Sequence, residues 1–207
     1  MLQDQTVHVV EDDPAVRESL ELLLKSAGMT PKLYPEAKAF LHSAPTGTGG
    51  CLVSDVRMPE MTGLELLAEM KKRRISMPTV LMTAFGDVPQ AVKAMKLGAV
   101  DFLEKPFDDE LMISAVRAAL ARAGDQRLTD EETRQAREKL RGLTTREQEV
   151  LGRLLQGKLN KTIAFDLGIS VRTVETHRAN LMAKTGAQCL SELVRMSLMA
   201  EKATTEA

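Results

Sequence analysis

The chain has 207 residues, of which 43% are hydrophobic and 28% charged, and its formal net charge is −1. This length suits two packed domains better than one, and the composition is that of a globular protein with too much core material for a disordered chain. Because no apolar run approaches membrane-spanning length and the N-terminus lacks the pattern of a secretion signal, we expect a cytoplasmic protein with no membrane segment.

Short β-rich runs alternate with amphipathic stretches over the first 122 residues. Five runs are predicted to be strands: Thr6–Val10, Thr30–Tyr34, Cys51–Ser54, Thr79–Met82 and Val100–Leu103. Helical patterns lie between and after them, at about 14–27, 36–43, 62–74, 87–97 and 108–122. Such alternation predicts right-handed βαβ units and a parallel sheet covered by helices on both faces.

The rest of the chain carries no strand pattern. A strongly polar stretch over 124–141 predicts a helical linker that is exposed to solvent, because charges of opposite sign lie three or four residues apart in it. Four short helices are predicted after the linker, at about 145–156, 160–167, 171–185 and 190–200. We therefore expect one domain over 1–123 and a second, all-α domain over 142–207.

Polar and charged residues stand where the predicted strands end. They are Glu11, Asp12 and Asp13 after the first strand, then Asp55, Thr83 and Lys105 after the third, fourth and fifth. In an open parallel sheet, ligands bind outside the carboxyl ends of the strands, so these side chains are expected to converge. Gathered carboxylates repel one another, and a hard divalent cation with oxygen ligands, here Mg²⁺, relieves that repulsion.

Asp55 is the candidate nucleophile, because a carboxylate beside a divalent cation can attack a phosphorus centre. Thr83 is suited to donate a hydrogen bond to a phosphoryl oxygen, and Lys105 to supply a positive charge. Taken singly, each has an ordinary explanation: Thr83 as a turn residue, Lys105 as a solvated charge, and Asp13 as a helix cap before Pro14. Their joint placement at the strand ends favours a site.

Four segments resemble the receiver domain of two-component response regulators. They are Val9 through Asp13, Ser54 through Gly63, Met82 through Ala84, and Glu104 through Phe107. The resemblance covers about 5–122 and implies an α/β, (βα)5 flavodoxin-like fold in which Asp55 is the phosphoacceptor. It also implies that Asp12 and Asp55 bind Mg²⁺ directly, that Glu11 acts mainly through water, and that the main-chain carbonyl of Arg57 completes the metal site. Glu11 departs from the Asp that is commoner in the family.

Phe102 stands three residues before Lys105. At this place the family carries an aromatic residue that turns inward when the Thr hydroxyl engages the phosphoryl group, so the resemblance implies a switch role for Phe102. The alternative is an ordinary strand aromatic packed in the core.

Residues 160–185 have the spacing of a helix-turn-helix unit, with Gly168 in the turn and Ser170 as the expected N-cap of the second helix. On a helical wheel Val171, Val174 and Leu181 share one face, and the opposite face is small and polar enough to enter a DNA groove. The candidate DNA contacts are Lys161, Thr162, Arg172, Thr173, Glu175, Thr176, Arg178, Ala179, Asn180 and Lys184. Among them Thr176 and Asn180 are suited to base edges, and the basic residues to phosphates.

This region resembles the LuxR-type module over about 141–199, on Leu143 through Leu151, Asn160 through Ala164 and Ser170 through Arg178. Combined with the receiver, the resemblance is to the NarL/FixJ subfamily, and Ser191 through Arg195 are closer to its FixJ branch. It implies a transcription regulator, most simply an activator, that a sensor histidine kinase phosphorylates. The phosphorylated homodimer would bind double-stranded DNA and act with RNA polymerase. Self-phosphorylation and slow autodephosphorylation would be its only chemistry.

Two other interpretations stay open. A magnesium-dependent phosphatase would use the same aspartyl phosphate, although no acid lies two residues after Asp55 to serve as general acid. A four-helix protein-interaction bundle is the alternative for the second domain. The net charge of +4 over 141–199, against −3 over 1–124, favours nucleic acid as the partner of the second domain.

Overall fold

The computed structural model describes residues 5–43, 49–84, 88–122 and 128–205, with the side chains in these ranges except those of 128–133 and 201–205. The chain divides into two compact units, one built around a parallel β-sheet and one entirely helical, which are described in turn. Within the described ranges, no helix has both the length and the apolar character needed to cross a membrane.

The strands and helices of the first half follow the predicted order. The strands are β1 (Thr6–Val10), β2 (Thr30–Tyr34), β3 (Cys51–Asp55), β4 (Thr79–Thr83) and β5 (Asp101–Glu104). The helices are α1 (Pro14–Ser26), α2 (Ala37–Ser43), α3 (Gly63–Lys72), α4 (Val88–Leu97) and α5 (Asp109–Arg122). Strands β3 and β4 run one residue further than predicted, so Asp55 and Thr83 are the last residues of their strands, and β5 is shifted by one residue toward the C-terminus.

All five strands are parallel, in the order β2-β1-β3-β4-β5. The chain moves outward from β1 to β2 and then returns to the other side of β1 to form β3, so the direction of winding reverses between β1 and β3. In doubly wound sheets the loops that leave two such strands separate to opposite faces and leave a crevice at their carboxyl ends. The predicted α/β, flavodoxin-like fold is therefore confirmed, and the acidic residues lie at its topological switch point.

Each face of the sheet packs against its own helices. Helices α1 and α5 cover one face, where Val9, Val53 and Met82 of the strands share a buried cluster with Leu24 and Met112. On the opposite face α2 and α3 cover a second cluster, whose largest buried members are Phe40, Leu52, Leu66 and Met70. Burial on both faces explains why β3 and β4 are apolar almost throughout, as expected for the inner strands of a parallel sheet.

The start of α3 passes very close to the end of β3. Gly63 donates its N–H to the carbonyl of Val56 at 3.0 Å, and a Cβ at this position would overlap the main-chain oxygen of Asp55. Thr62 and Glu65 form a reciprocal capping box immediately before and inside the helix. Only a glycine lets the helix begin against the strand that carries Asp55.

The second unit contains α6 (Leu128–Arg141), α7 (Thr145–Leu155), α8 (Asn160–Leu167), α9 (Val171–Thr185) and α10 (Leu190–Thr205). Residues 88–96 of α4 also belong to this unit and not to the one built around the sheet. All four helices predicted after the linker are present, and glycines in the left-handed conformation end α8 at Gly168 and α9 at Gly186. The shared core of these helices contains Val150, Leu154, Ile163, Val174, Leu181 and Leu193.

Two details of the second unit differ from expectation. The described part of the predicted linker, from residue 128 on, is helical, whereas residues 124–127 lie outside the described ranges. Helix α6 packs along α10 and buries Ala136 to 4% exposure, so one of its faces is not exposed to solvent as expected. Val171 is 37% exposed, whereas Val174 and Leu181 are fully buried. The first turn of α9 therefore projects beyond the core, which a helical wheel does not represent because it places all turns at the same depth.

Glu147 connects two helices of the second unit. Its carboxylate accepts the N–H of Thr144 at 2.8 Å in a capping box that begins α7, and it also pairs with the Lys184 ammonium near the end of α9 at 2.8 Å. The Lys184 hydrogen bond and the Thr144 N–H lower the pKa of Glu147 to about 2. One side chain thus caps α7 and ties it to the last turn of α9.

We predict that Gly63→Ala destabilises the sheet-containing unit by about 1 to 3 kcal/mol, because the added methyl group must displace backbone at the end of β3. Chemical denaturation followed by circular dichroism measures the effect. The matched control is Gly152→Ala inside α7, where a Cβ meets nothing within 4 Å and alanine should stabilise the helix by roughly 0.5 to 1 kcal/mol. Equal effects at the two positions would contradict the close approach at Gly63.

A second prediction concerns acid stability. Because the pKa of Glu147 is lower in the folded chain than its ordinary value, its stabilising effect is present above that ordinary value and is lost as the pH falls toward about 2. Glu147→Gln should therefore unfold at a lower temperature than wild type at pH 7, and the difference should shrink below about pH 5. Glu149→Gln, on the same helix but outside the cap, is the control. A difference that stays constant with pH for Glu147→Gln would disprove the linkage.

Candidate functional site

Three charged side chains meet at the carboxyl edge of the sheet. The Lys105 ammonium lies 2.7 Å from Oε2 of Glu11 and 2.7 Å from Oδ1 of Asp55. Glu11 follows β1 and is 2% exposed, Asp55 ends β3 and is 6% exposed, and Lys105 follows β5. The structure therefore brings together side chains from positions 11, 55 and 105, as the strand ends predict.

Asp55 is held at both carboxylate oxygens. Oδ1 receives the Lys105 ammonium, and Oδ2 accepts the main-chain N–H of Arg57 at 2.5 Å. The N–H of Val56 donates to the main-chain carbonyl of Met82 on the neighbouring strand at 2.7 Å. This hydrogen bond holds the loop after Asp55 close to β4. The carboxylate of Asp55 is thus oriented by one cation and one backbone donor at the mouth of the crevice.

Burial and ion pairing act in opposite directions on the two partners of Asp55. Burial raises the pKa of Glu11, and the Lys105 hydrogen bond and charge offset this effect only in part. Burial by itself would lower the pKa of Lys105, but the hydrogen bonds and charges of Asp55 and Glu11 outweigh it, so the pKa of Lys105 is raised. Lys105 therefore remains a cation at neutral pH.

The three consecutive acids after β1 have three different environments. Asp13 caps α1 by accepting the N–H groups of Ala15 at 2.8 Å and Val16 at 3.2 Å, the ordinary role considered for it from sequence. Glu11 is buried on Lys105, whereas Asp12 is exposed, and its carboxylate has no hydrogen-bond or ion-pair partner among the described residues. Of the three acids, Asp12 is the one open to a ligand from solvent.

Arg17 is a component of the site that sequence reasoning did not assign. Its guanidinium donates to the main-chain carbonyl of Glu11 at 2.7 Å and to that of Asp12 at 3.3 Å. The feature of the sequence that could have pointed to Arg17 is its position in α1, one helical turn after the acidic residues 11–13. By binding two consecutive carbonyls, Arg17 holds the backbone from which the Glu11 and Asp12 side chains project.

Thr83 lies on β4, the strand beside β3, and Phe102 lies on β5, the next strand along. Thr83 is fully buried at the end of β4, and its carbonyl accepts the N–H of Lys105 at 2.7 Å. Phe102 is paired in register with Leu81 and is 7% exposed. The peptide bond between Lys105 and Pro106 is cis. The backbone hydrogen bond joins Thr83 to Lys105, the residue whose ammonium contacts Asp55.

The oxygen atoms at this edge suit a hard cation chemically. Among the described residues, however, no group of three or more His, Cys, Asp and Glu side chains is already gathered as a metal site. Two of the three predicted carboxylates, Glu11 and Asp55, pair with Lys105, and Asp12 does not. The donor types at Asp12, Asp55 and the Arg57 carbonyl are those that Mg²⁺ prefers.

The second candidate site is the helix pair α8 and α9. Ser170 caps α9 by accepting the N–H of Thr173 at 3.1 Å, and Gly168 turns the chain between the helices. The exposed candidates on the two helices are Lys161, Thr162, Arg172, Glu175, Thr176, Ala179, Asn180 and Lys184. Opposite them Val174 and Leu181 are buried in the core, so the predicted division of α9 into a packed and a solvent-facing side is present.

Four of the DNA-contact candidates already have partners inside the unit, and one of them is Thr176, whose hydroxyl donates to the main-chain carbonyl of Arg172 at 3.0 Å. Arg178 donates to the side-chain oxygen of Asn160 at 2.8 Å, and Lys184 pairs with Glu147 at 2.8 Å. Thr173 takes part in the Ser170 cap. Asn160 and Glu147 were not singled out from sequence, because nothing in linear spacing shows which side chain of α9 reaches them.

Comparison with known proteins identifies the families of both domains. Residues 7–117 match the family described as response regulator receiver domain, and residues 141–197 match bacterial regulatory proteins of the luxR family. The transcriptional regulatory protein FixJ of Azorhizobium caulinodans is 52% identical over 97% of this chain and 95% of its own length. FixJ of Rhizobium meliloti is 46% identical over 95% of this chain and 97% of its own, and the response regulator protein TodT of Pseudomonas putida is 40% identical over 92% and 84%.

Solved structures show the same relationship. The crystal structure of full-length FixJ from B. japonicum is 44% identical and matches with a TM-score of 0.57 over 97% of this chain and 98% of its own. The crystal structure of FixJ-N is 48% identical, with a TM-score of 0.55 over 58% of this chain and 96% of its own. The chain therefore belongs to the two-component response regulators of the NarL/FixJ subfamily, in which a receiver domain is joined to a LuxR-type helix-turn-helix domain.

Proposed function

We propose that this response regulator is a transcription activator that is switched by phosphoryl transfer to Asp55. The observation that carries the proposal is the environment of the Asp55 carboxylate. Asp55 is the last residue of β3, and its carboxylate accepts from the Lys105 ammonium and from the N–H of Arg57. We assign the receiver to 1–123, a helical connection to 124–141 and the DNA-binding domain to 142–207. The protein would act in the cytoplasm.

The phosphoryl group would come from a phosphohistidine of a sensor histidine kinase. A carboxylate oxygen of Asp55 attacks phosphorus, the phosphorus–nitrogen bond breaks, and the leaving imidazole takes up a proton, so that an aspartyl phosphate forms. Lys105 then neutralises part of the charge on the phosphoryl oxygens, and the Thr83 hydroxyl donates a hydrogen bond to one of them. The expected chemistry of the chain is limited to this transfer and slow autodephosphorylation.

Asp12, Asp55 and the main-chain carbonyl of Arg57 are the groups that we assign to Mg²⁺, with Glu11 acting through water. When bound, the cation offsets the negative charge that gathers on the phosphoryl oxygens. Asp12 suits this role because its carboxylate is exposed and makes no bond to another described residue. Asp13 is committed to capping α1 and does not take part.

Phosphorylation would change the surface formed by α4 and β5, with Phe102 as the aromatic that responds to Thr83. A homodimer formed through that surface would place two copies of α9 on DNA half-sites about one helical turn apart and would bind more tightly by effective concentration. RNA polymerase is the partner expected of an activator bound at a promoter.

On the DNA side, we assign base contacts to Thr176 and Asn180, a cytosine contact to Glu175, and close approach to Ala179. Phosphate contacts are assigned to Lys161, Thr162, Arg172, Thr173, Arg178 and Lys184. For Thr173, Arg178 and Lys184 the contact would be added to an existing bond, because each already has a partner within the domain.

The central test replaces the acceptor. Asp55→Asn should abolish phosphorylation by a purified sensor kinase or by phosphoramidate, and should hold DNA binding at the unphosphorylated level, because an amide lacks the nucleophilic carboxylate. Phosphate-affinity gels and sequencing of genomic fragments bound by the pure protein, with and without phosphodonor, measure the two effects.

Asp13→Asn is the matched control, since asparagine also caps a helix well and the residue lies outside the proposed metal site. Wild-type phosphorylation in Asp55→Asn, or its loss in Asp13→Asn, would refute the assignment. If wild-type protein binds DNA equally well with and without phosphodonor, the proposed coupling of phosphorylation to DNA binding is refuted. The assignment of Asp55 as the phosphoacceptor is not affected by that result.

DNA contact through α8 gives a separate prediction. Lys161→Gln should weaken binding to all sequences and lower the slope of log affinity against log salt by about 1, because one phosphate contact is lost. Fluorescence anisotropy over a salt series measures the slope. Arg146→Gln, an exposed cation on α7 that pairs with Glu149, is the control and should leave the slope unchanged. An unchanged slope in Lys161→Gln would exclude the proposed contact.

A further inference from the structure

Glu11 is buried, and both of its carboxylate oxygens are engaged. Oε2 accepts from the Lys105 ammonium at 2.7 Å, and Oε1 accepts the main-chain N–H of Asp13 at 3.3 Å. The side chain is only 3% exposed, compared with 20% for Lys105. A buried carboxylate held at two points is a rigid support for the cation that it contacts.

The length of this side chain decides what it reaches. An aspartate on the same backbone would place its carboxylate about 1.5 Å, one carbon–carbon bond, closer to the main chain. The carbonyls of Glu11 and Asp12 are held by Arg17 at 2.7 and 3.3 Å, so the backbone is not free to move forward in compensation. A shorter acid at position 11 would therefore leave a gap to Lys105 that direct hydrogen bonding does not span.

We propose that Glu11 is a positioning residue that holds the Lys105 ammonium against Asp55, and that it does so through its extra methylene. The proposal rests on the proposed function of Asp55 as the phosphoryl acceptor. A lysine side chain has many rotamers, and two carboxylates that both bind its ammonium restrict them before the reaction. The cation then stands at the Asp55 oxygen when the phosphoryl group arrives.

The first measurement needs neither metal nor phosphodonor. In ¹H–¹⁵N spectra of the full chain, the Lys105 ammonium protons should exchange slowly in wild type, because two hydrogen bonds protect them. The protection should persist in Glu11→Gln, which keeps the reach and one acceptor, and should be lost in Glu11→Asp, which keeps the charge but not the reach. Amide signals of the same samples report whether each variant is folded. A protected ammonium in folded Glu11→Asp, or an unprotected one in wild type, would overturn the proposal.

The second measurement is a double-mutant cycle on the rate of phosphorylation by phosphoramidate at saturating Mg²⁺. Glu11→Asp should slow the reaction about tenfold, since a displaced catalytic group has effects of this order. In Lys105→Met the same change should slow it less than about twofold, because the residue that Glu11 positions is gone. An equal loss in both backgrounds would mean that Glu11 acts independently of Lys105 and would overturn the proposal.

The two measurements separate the proposals from each other. If Asp55 is not phosphorylated at all, the proposed function fails, while the ammonium spectra still decide whether Glu11 holds Lys105. If phosphorylation occurs but the ammonium is unprotected in wild type, only the role of Glu11 fails. Glu110→Asp on α5 has an exposed side chain and provides the control for the Glu-to-Asp change itself.

Discussion

Two carboxylates buried side by side at the end of a sheet repel each other unless a cation contacts both of them. Here that cation is Lys105, which contacts Glu11 and Asp55 at the same distance of 2.7 Å. The three residues come from three different strands, so the pairing exists only when the sheet has formed. Asp55 is consequently held in one orientation by a cation and a backbone N–H, an arrangement suited to attack on phosphorus.

The backbone around this ion cluster leaves little room for adjustment. Gly63 lets α3 begin directly against Asp55, Arg17 binds the carbonyls after β1, and the N–H of Arg57 donates to Asp55 itself. Each contact is local, but together they fix the chain on both sides of the crevice. Preorganisation of this kind means that ligand binding need not supply the free energy for arranging the protein groups.

Much of the fold could be predicted because periodicity is a property of the sequence itself. The five strands, the helices between them and the gathering of positions 11, 55 and 105 follow from strand ends that share one edge. The pairing of individual side chains could not be predicted. Glu11, Asp12 and Asp13 are adjacent acids, yet one is buried on a lysine, one is exposed and one caps a helix, and these differences depend on backbone direction. The same limit applies to Arg178 and Lys184, whose partners lie 18 and 37 residues away.

The recognition helix α9 is held by side chains of two other helices, Asn160 on α8 and Glu147 on α7. This bracing has a consequence for engineering the binding specificity of the domain. An α9 sequence taken from another regulator would need a hydrogen-bond donor at position 178 and a cation at position 184, or it would leave Glu147 buried without its counter-charge. The side chains at positions 172, 175, 176, 179 and 180 are exposed and are not part of this bracing. The exposed face of α9, to which we assign the DNA contacts, is therefore exchangeable residue by residue, whereas the helix as a whole is not.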